Sequence, residues 1–201
     1  MVRKTKEEAD ATRKLLLKAA VAVFSRQSYD ATRLEDIAAE ANVTRGAIYH
    51  HFGSKQDLYA TMIGEYSKPL YDLMGSSIEP GKSFLENLRN LCINLFSALE
   101  DDADLRAIQD ITVRTPPELN ESIGLKLDYL EAQIMTLVVG FSEAIASGEI
   151  RAEIAPDDAL RGYFGYINGI YLMWRLESEA FSLKERAPIL IDLYIKGLAA
   201  K

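Results

Sequence analysis

The sequence predicts an all-α protein of about nine helices. Apolar residues recur at spacings of three and four through most of the 201 residues, which is the period of an amphipathic helix. Before three of these segments, serine or threonine is followed three residues later by glutamate, the pattern of an N-terminal capping box. No segment alternates apolar and polar residues for long enough to be a convincing strand. Together these observations favour helices throughout.

The composition is that of a folded chain. Apolar residues make up 48% and charged residues 26% of it, which excludes an intrinsically disordered protein. The single Cys92 cannot close an internal disulfide, and four thiolates for a structural zinc ion are not available, so we expect a reducing, cytoplasmic compartment. Apolar runs such as 134–141 are far shorter than the ~20 residues that span a bilayer, and the N-terminus lacks a signal peptide, so we expect no membrane partner.

The first two helices are separated by a capping signal. The first is predicted over residues 6–26, where apolar side chains recur on one side. Thr32 and Glu35 have the form of a capping box, which starts a short second helix. Residues 41–44 interrupt that helix, and Asn42 tolerates the left-handed backbone that a sharp turn between helices requires.

The third helix completes a helix-turn-helix. It is predicted over residues 44–51, and Gly53 ends it. Ser54 and Asp57 cap a longer fourth helix, which continues through Leu73. Two short helices joined by a turn of a few residues have the dimensions of the motif whose second helix lies in the DNA major groove.

Five helices follow. Residues 75–81 form a predicted loop, and a second capping box, Ser83 with Glu86, starts the fifth helix. That helix ends near residue 101, and a sixth short helix is predicted over 105–113.

Proline or a capping box marks the start of each of the last three helices. Pro116 and Pro117 supply the first turn of a helix to Ser147, and proline again opens a helix over 156–176. The third capping box, formed by Ser182 with Glu185, opens the last helix.

The charge is distributed unevenly along the chain. Residues 1–60 carry a net charge of +2 and residues 61–201 a net charge of −9. The two parts therefore meet different partners, and the N-terminal part has the local positive charge that a phosphate polymer needs. A solvated surface stays open as the alternative reading of the charge clusters by themselves.

The third helix presents groups suited to DNA. Arg45 and Tyr49 lie four residues apart and share a face, and arginine carries paired donors that match guanine O6 and N7. Gly46 lets the backbone approach a duplex closely, and Lys55 lies at a helix start that favours a phosphate. The DNA-binding candidates on these grounds are Lys4, Lys6, Thr44, Arg45, Gly46, Ala47, Tyr49, His50, His51 and Lys55.

The segment from Thr32 to Leu58 resembles the DNA-binding signature of TetR-family transcriptional regulators. Within it, Thr44-Arg-Gly-Ala-Ile-Tyr is similar to the multidrug-efflux repressors of the AcrR and TtgR type, as are the opening residues 2–9. Residues 166–175 and 182–185 are similar to the same subgroup.

The resemblance implies a homodimeric, all-helical repressor without enzymatic activity or cofactor. Residues 1–53 would bind a palindromic operator in double-stranded DNA, and residues 54–201 would bind a small hydrophobic or amphipathic effector and form the dimer. In such proteins the effector separates the two DNA-reading helices.

The family motif also implies individual contacts. By position in that motif, Arg45 would contact a base; Thr44, Tyr49, His51 and Lys55 would contact phosphates; and Thr32 or Arg33 would contact the backbone beside the groove. Asn42 departs from the family, which usually has glycine at this turn, and is therefore expected to cost some stability.

Three glycines indicate close helix packing near the C-terminus. Gly162, Gly165 and Gly169 lie on roughly one side of the penultimate helix, where glycine is costly unless a second helix approaches. A dimer interface is the natural partner, as the resemblance also implies, while close packing inside one subunit stays open. The interface candidates are Gly162, Gly165, Tyr166, Gly169, Met173, Leu190 and Tyr194.

The effector pocket is located only broadly. Aromatic residues and polar residues within apolar helices are the candidates, although each also fits an ordinary core or surface position. They are Tyr66, Phe84, Phe96, Gln109, Asp110, Arg114, Tyr129, Gln133, Phe164, Asn168 and Tyr171. In similar efflux repressors, positions near Asp110 and Arg114 line the cavity.

Other chemistries have little support. His50 and His51 are adjacent on a helix and point about 100° apart, which is poor geometry for one metal ion, so no metal site is expected. No catalytic constellation is present. Two alternatives remain: an architectural DNA-binding protein without an effector, and a helical small-molecule enzyme that keeps a vestigial reading head.

Overall fold

The protein is all-helical over the part of the chain that the structure, a computed structural model, describes: residues 6–115, 119, 128–177 and 179–200, with the backbone alone over 128–133. This confirms the predicted fold class. The helices in these ranges are α1 (Lys6–Arg26), α2 (Leu34–Glu40), α3 (Arg45–Phe52), α4 (Lys55–Ser76), α5 (Phe84–Asp101), α6 (Ala103–Val113), α7 (Asp128–Ala146), α8 (Pro156–Leu176) and α9 (Leu183–Leu198). None of these helices is long and apolar enough to cross a membrane.

The helix boundaries agree with the prediction at most positions. α4 extends to Ser76, so Gly75 is helical and not part of a loop. The long helix predicted from Pro116 is described only from Asp128 onward, and Pro116 and Pro117 lie outside the described residues. Within the described ranges, the pairing of Ile150 with Ala199 is the one isolated β-bridge.

The capping box predicted at Thr32 is wrong by one residue. α2 begins at Leu34, and its N-cap is Arg33, whose backbone N–H donates to Asp36 Oδ2 at 3.0 Å. The Thr32 hydroxyl instead donates to the carbonyl of Ser28 at 2.9 Å. Glu35 and Asp36 are consecutive, so the cap could form with Thr32 and Glu35 or with Arg33 and Asp36. The second register is present, because the Thr32 side chain bonds back to the preceding turn.

The other two capping signals give different results. Ser83 and Glu86 form the reciprocal box, with the Glu86 N–H donating to Ser83 Oγ at 3.3 Å and the Ser83 N–H donating to Glu86 Oε2 at 2.9 Å. At α9 only half of the box is present: the Glu185 N–H donates to Ser182 Oγ, while the Ser182 hydroxyl donates to Glu100.

Contacts divide the chain into two compact units. The first comprises residues 1–68 and 104–127, and the second comprises residues 69–103 and 128–201. In the first unit, Ile37 of α2, Ile48 of α3 and Leu58 of α4 are completely buried in one apolar core. This core fixes the orientation of the two short helices on α1 and α4. The domain boundary predicted at residue 53 stays a prediction.

In the second unit, two carboxylates satisfy backbone N–H groups at helix starts that are distant in sequence. Glu149 accepts from the N–H groups of Phe84 and Leu85, at 3.1 and 2.7 Å, in the first turn of α5. Glu100 accepts from the N–H of Lys184 at 2.6 Å in the first turn of α9. The first helical turn has N–H groups without helical partners and a positive dipole end, so both carboxylates stabilise the packing of their helices.

One glycine allows an aromatic ring to lie against a helix. A Cβ at Gly140 of α7 would lie 2.2 Å from Cε2 of Phe84, whose ring also packs edge-on against Phe141 at 4.9 Å. The absence of a side chain at Gly140 therefore makes the contact between the start of α5 and α7 possible.

We expect Gly140→Ala to lower the free energy of unfolding. Overpacking typically costs about 1–3 kcal/mol, which outweighs the helix propensity that alanine adds. Gly75→Ala in α4 is the control, because a Cβ there meets no atom within 4 Å, and it should leave stability unchanged or raise it by up to about 1 kcal/mol. Urea unfolding of both variants measures the difference, and equal responses would contradict the packing argument.

Candidate nucleic-acid interface

The turn between α2 and α3 has the left-handed residue that the sequence predicted. Asn42 has a φ of 52°, and its N–H donates to the carbonyl of Ala39 at 3.0 Å. The N–H of Val43 donates to the carbonyl of Ala38 at 2.9 Å, so the last carbonyls of α2 are satisfied as the chain reverses. The turn brings α3 across α2 within four residues.

One side of α3 faces the core and the other is exposed. Ile48 and Phe52 are buried and Val43 is partly buried, as predicted. Gly53, with a φ of 78°, ends the helix. The exposed side presents Thr44, Arg45, Gly46, Tyr49 and His50, with Ala47 and His51 partly exposed beside them.

The Arg45 guanidinium is held by two neighbours. Nη1 lies 2.5 Å from Oε1 of Glu35 in α2, and Nη2 donates to the Tyr49 hydroxyl at 2.7 Å. The guanidinium carbon also lies 5.2 Å from the centre of the Tyr49 ring, within the range of a cation–π contact. The hydrogen bond to Tyr49 and then the charge of Glu35 raise the pKa of Arg45, which keeps its positive charge.

Lys55 is positioned by an aromatic ring. It is the first residue of α4, and its Nζ lies 4.3 Å from the centre of the Tyr29 ring. Partial burial lowers the pKa of Lys55, although Asp30 opposes that shift. At the same helix start, the Asp57 N–H donates to Ser54 Oγ at 3.0 Å, as predicted for the cap. Lys55 is thus a cation at a helix N-terminus, where an anion is favoured.

The remaining DNA-binding candidates differ in accessibility. Lys6 and Arg33 are exposed, and Lys4 lies outside the described residues. Thr32 is 2% exposed and its hydroxyl donates to the Ser28 carbonyl, so Arg33 is the accessible one of these two alternatives for a backbone contact. Among the described residues, no group of three or more His, Cys, Asp or Glu side chains could hold a metal ion.

The pocket candidates fall in both compact units. In the first unit are Tyr66, Gln109, Asp110 and Arg114. The Arg114 guanidinium donates to two backbone carbonyls, those of Asp110 at 2.9 Å and Ser25 at 3.1 Å. Arg114 therefore ties the end of α6 to the end of α1.

In the second unit, only some candidates are accessible. Phe96 and Tyr171 are buried, and the Asn168 amide donates to the carbonyl of Phe164 at 2.9 Å. Phe84 lines an open groove of about 450 Å³. Tyr129 and Gln133 lie in the part of α7 whose side chains are not described.

Sequence reasoning missed most of the groove beside Phe84. Its other lining residues are Ile78, Asn87, Met135, Thr136, Leu137, Val139, Gly140 and Glu143. The available signal was the pair Met135 and Val139, four residues apart on α7, which are 58% and 48% exposed. Apolar spacing alone could not distinguish such an exposed pair from core residues.

The glycines of α8 serve two different purposes. A Cβ at Gly162 would lie 2.9 Å from the hydroxyl of Tyr194 in the same chain, so packing inside one subunit accounts for this glycine, and its place in a dimer interface stays a prediction. At Gly165 and Gly169 a Cβ would meet no atom of the described residues within 4 Å. These two line an open groove of about 430 Å³ together with Tyr166, Ile170, Met173, Phe181 and Leu190.

Two tyrosines join α8 to α9 beside that groove. The Tyr194 hydroxyl donates to the carbonyl of Ala159, and the Tyr166 hydroxyl donates to the carbonyl of Leu190, both at 2.6 Å. The two rings stack with centres 5.4 Å apart. Their hydroxyls are therefore committed within the subunit, whereas large apolar side chains on the same two helices are exposed. These are Leu172, Met173, Leu176, Ile189 and Leu193.

Comparisons with known proteins agree with this geometry. Residues 16–62 match the family described as bacterial regulatory proteins, tetR family. The chain is 30% identical over 208 residues to the HTH-type transcriptional regulator AcrR of Shigella flexneri, covering 97% of this chain and 94% of that protein. It is 29% identical over 187 residues to the HTH-type transcriptional regulator TtgR of Pseudomonas putida, covering 91% of this chain and 89% of that protein.

A solved structure extends the likeness to the whole fold. NalD, described as the secondary repressor of the MexAB-OprM multidrug efflux pump in Pseudomonas aeruginosa, superposes with a TM-score of 0.77 at 26% identity. The superposition covers 96% of this chain and 98% of NalD. The helical arrangement described above is thus that of a known repressor.

The left-handed turn gives a stability prediction. We expect Asn42→Gly to raise the free energy of unfolding by up to about 1 kcal/mol, because glycine adopts a positive φ without steric cost. Asn42→Ala should lower it by about 1 kcal/mol, because alanine has neither that freedom nor a side chain that bonds locally. Thermal unfolding of the two variants measures the order, and an alanine variant more stable than the glycine variant would be incompatible with the strained turn.

Proposed function

Because the chain belongs to the TetR family of bacterial transcriptional regulators, we propose that it is a repressor that binds a palindromic operator as a homodimer and is released by a small hydrophobic or amphipathic effector. Like the relatives named above, it is a transcriptional regulator and not an enzyme. The observation that carries the proposal is the exposed side of α3, where Arg45 projects from a helix whose other side is fixed in the core.

The proposed DNA contacts divide into one that reads bases and several that bind phosphates. Arg45 donates to a guanine edge in the major groove, where a bidentate contact distinguishes base pairs. Phosphate contacts position the helix but carry no direct sequence information. We assign those contacts to Lys4, Lys6, Arg33, Thr44, Tyr49, His51 and Lys55, while Gly46, Ala47 and His50 complete the surface that faces the groove.

The proposed domains meet at residue 53. Residues 1–53 form the DNA-binding domain, to which Lys55 adds a phosphate contact from the first turn of α4, and residues 54–201 bind the effector and form the dimer. A twofold axis places the two α3 helices in successive major grooves, roughly 34–36 Å apart.

The proposed dimer contact is the exposed apolar surface of α8 and α9. Gly165 and Gly169 leave room for the backbone of a partner helix to approach, and Met173 and Leu190 line the same groove. Tyr166 also lines this groove and Tyr194 stacks against Tyr166, and both hydroxyls are bonded within their own subunit. An unpartnered apolar surface of this kind is typical of a protein interface.

We propose that the effector binds among the candidate residues within 61–180. The groove beside Phe84 supports it, since its volume of about 450 Å³ is within the range of small-molecule sites and most of its lining is apolar. The other candidates do not line that groove and stay predictions. They are Tyr66, Phe96, Gln109, Asp110, Arg114, Tyr129, Gln133, Phe164, Asn168 and Tyr171. A coupling of about 1–3 kcal/mol between effector and operator is enough for a switch.

A multidrug efflux pump is the proposed regulated target. The likeness to NalD supports this, because its description names it as a repressor of such a pump. Amphipathic compounds that a pump exports are reasonable effectors for its repressor, because their presence is the condition under which the pump is needed.

The two classes of contact predict two kinds of variant. Arg45→Ala should relax base preference at one position in each half-site, costing about 1–3 kcal/mol of binding free energy on the operator and far less on random DNA.

Lys55→Met, which keeps the stem over Tyr29, should weaken binding to all sequences alike and reduce the salt slope by about 1. Fluorescence anisotropy at several salt concentrations measures both, and equal loss for Arg45→Ala on operator and random DNA would refute the assignment.

The proposed dimer gives a second prediction. Leu193 is 64% exposed in the subunit, so Leu193→Lys should leave the subunit folded but place a charge in the apolar contact, raising the dimer dissociation constant at least about tenfold. Leu15→Lys on α1 is the control, because Leu15 is 54% exposed outside that surface, and it should not change the dissociation constant. Analytical ultracentrifugation decides, and a dimer unaffected by Leu193→Lys would rule out this interface.

A further inference from the structure

The side chain proposed to read a base is already bound to an acidic residue of another helix. Arg45 Nη1 lies 2.5 Å from Glu35 Oε1, and the two side chains are 53% and 55% exposed. Glu35 lies in the first turn of α2 and Arg45 in the first turn of α3, so the pair joins the two helices of the motif at the surface. Tyr49 holds the other terminal nitrogen at 2.7 Å.

This arrangement fixes the guanidinium without consuming all of its donors. A guanidinium has five N–H groups, and the bonds to Glu35 and Tyr49 use one on each terminal nitrogen. The N–H groups that remain can still donate to the two acceptors of a guanine edge. A long arginine side chain that is held before binding loses less conformational freedom when it contacts a base.

The same pair changes how Arg45 responds to phosphates. A guanidinium without a carboxylate beside it is attracted by any phosphate, whatever the sequence. The carboxylate of Glu35 offsets that charge and is itself repelled by the DNA backbone. Non-specific binding is therefore weakened more than binding to a site where guanine offers directed hydrogen bonds.

From this geometry we propose that Glu35 is a specificity-determining residue, which positions Arg45 for the guanine edge and suppresses its binding to phosphates. The inference rests on the proposed function, because it requires Arg45 to contact a base. It adds a residue of α2 that itself makes no base contact. Its effect is on the ratio of operator to random affinity, and not on affinity alone.

The chain offers a matched control on the same helix. Glu40 lies at the end of α2, and its Oε2 is 2.6 Å from Nη2 of Arg26 on α1. Glu40→Gln removes the same charge from the same short helix and breaks an exposed ion pair of similar geometry, but it leaves Arg45 and Glu35 in contact. Any general electrostatic effect of removing a carboxylate is therefore shared by both variants.

The experiment compares Glu35→Gln, Glu40→Gln and the unsubstituted protein on two duplexes. One duplex is selected from a random library by the unsubstituted full-length protein, and the other has the same base composition in scrambled order. For Glu35→Gln we expect the affinity ratio of selected to scrambled duplex to fall roughly two- to fivefold, the size that coupling in an exposed ion pair allows. For Glu40→Gln we expect both affinities to change by the same factor.

Salt dependence gives a second readout. Once Arg45 is released to bind a phosphate, the salt slope of Glu35→Gln on the scrambled duplex should become steeper by about 0.9, the value for one additional phosphate contact. The slope of Glu40→Gln should not differ in this way. In the Arg45→Ala background, Glu35→Gln should have no more effect on the ratio than Glu40→Gln does.

The outcomes separate the inference from the function on which it rests. If the unsubstituted protein selects no sequence, the proposed function fails and the role of Glu35 fails with it. If Arg45→Ala lowers the ratio of selected to scrambled affinity but Glu35→Gln leaves that ratio unchanged, the role of Glu35 alone is overturned. An effect of Glu35→Gln that persists in the Arg45→Ala background also overturns it, because Glu35 would then act without Arg45.

Discussion

The burial of one side of α3 is the constraint on which the candidate interface depends. The helix has only eight residues, and Ile48 and Phe52 fix it in the core of the first unit. Because these two side chains determine how the helix is rotated, the direction of Arg45 follows from them. The left-handed turn at Asn42 contributes the other half of the geometry, since it lets α2 and α3 share that core while separated by four residues.

The second unit is organised by a different interaction. Its helices start far apart in sequence, and carboxylates from elsewhere in the chain accept from their first N–H groups, as Glu149 does at α5 and Glu100 does at α9. These contacts are local and directional, and they complement an apolar core that includes the completely buried Phe96 and Phe141. A surface of α8 and α9 remains apolar and exposed, and it is this surface that we propose as the dimer contact.

The sequence predicted the fold and the outward side of α3 because both depend on local rules, namely helical periodicity, capping and turn chemistry. Prediction from the sequence was insufficient where two capping registers were equally favourable, and where residues distant in the sequence determined the packing. Thr32 with Glu35 and Arg33 with Asp36 are both acceptable caps, and burial of Thr32 selected the second. Gly162 could face either a partner or its own chain, and the sequence could not indicate that Tyr194 of the same chain packs against it. The pairing of Glu35 with Arg45 depends on how α2 crosses α3, which no spacing in the sequence encodes.

At Gly165 and Gly169 of α8, an added Cβ would meet no atom of the described part of the same subunit within 4 Å. Folding of a single chain therefore constrains these two positions little, and in the proposed dimer a substitution there would be felt mainly by the copy that docks against it. If that dimer forms, its contact surface can change in shape without unfolding the subunit, which would allow related regulators to diverge in the copies with which they pair.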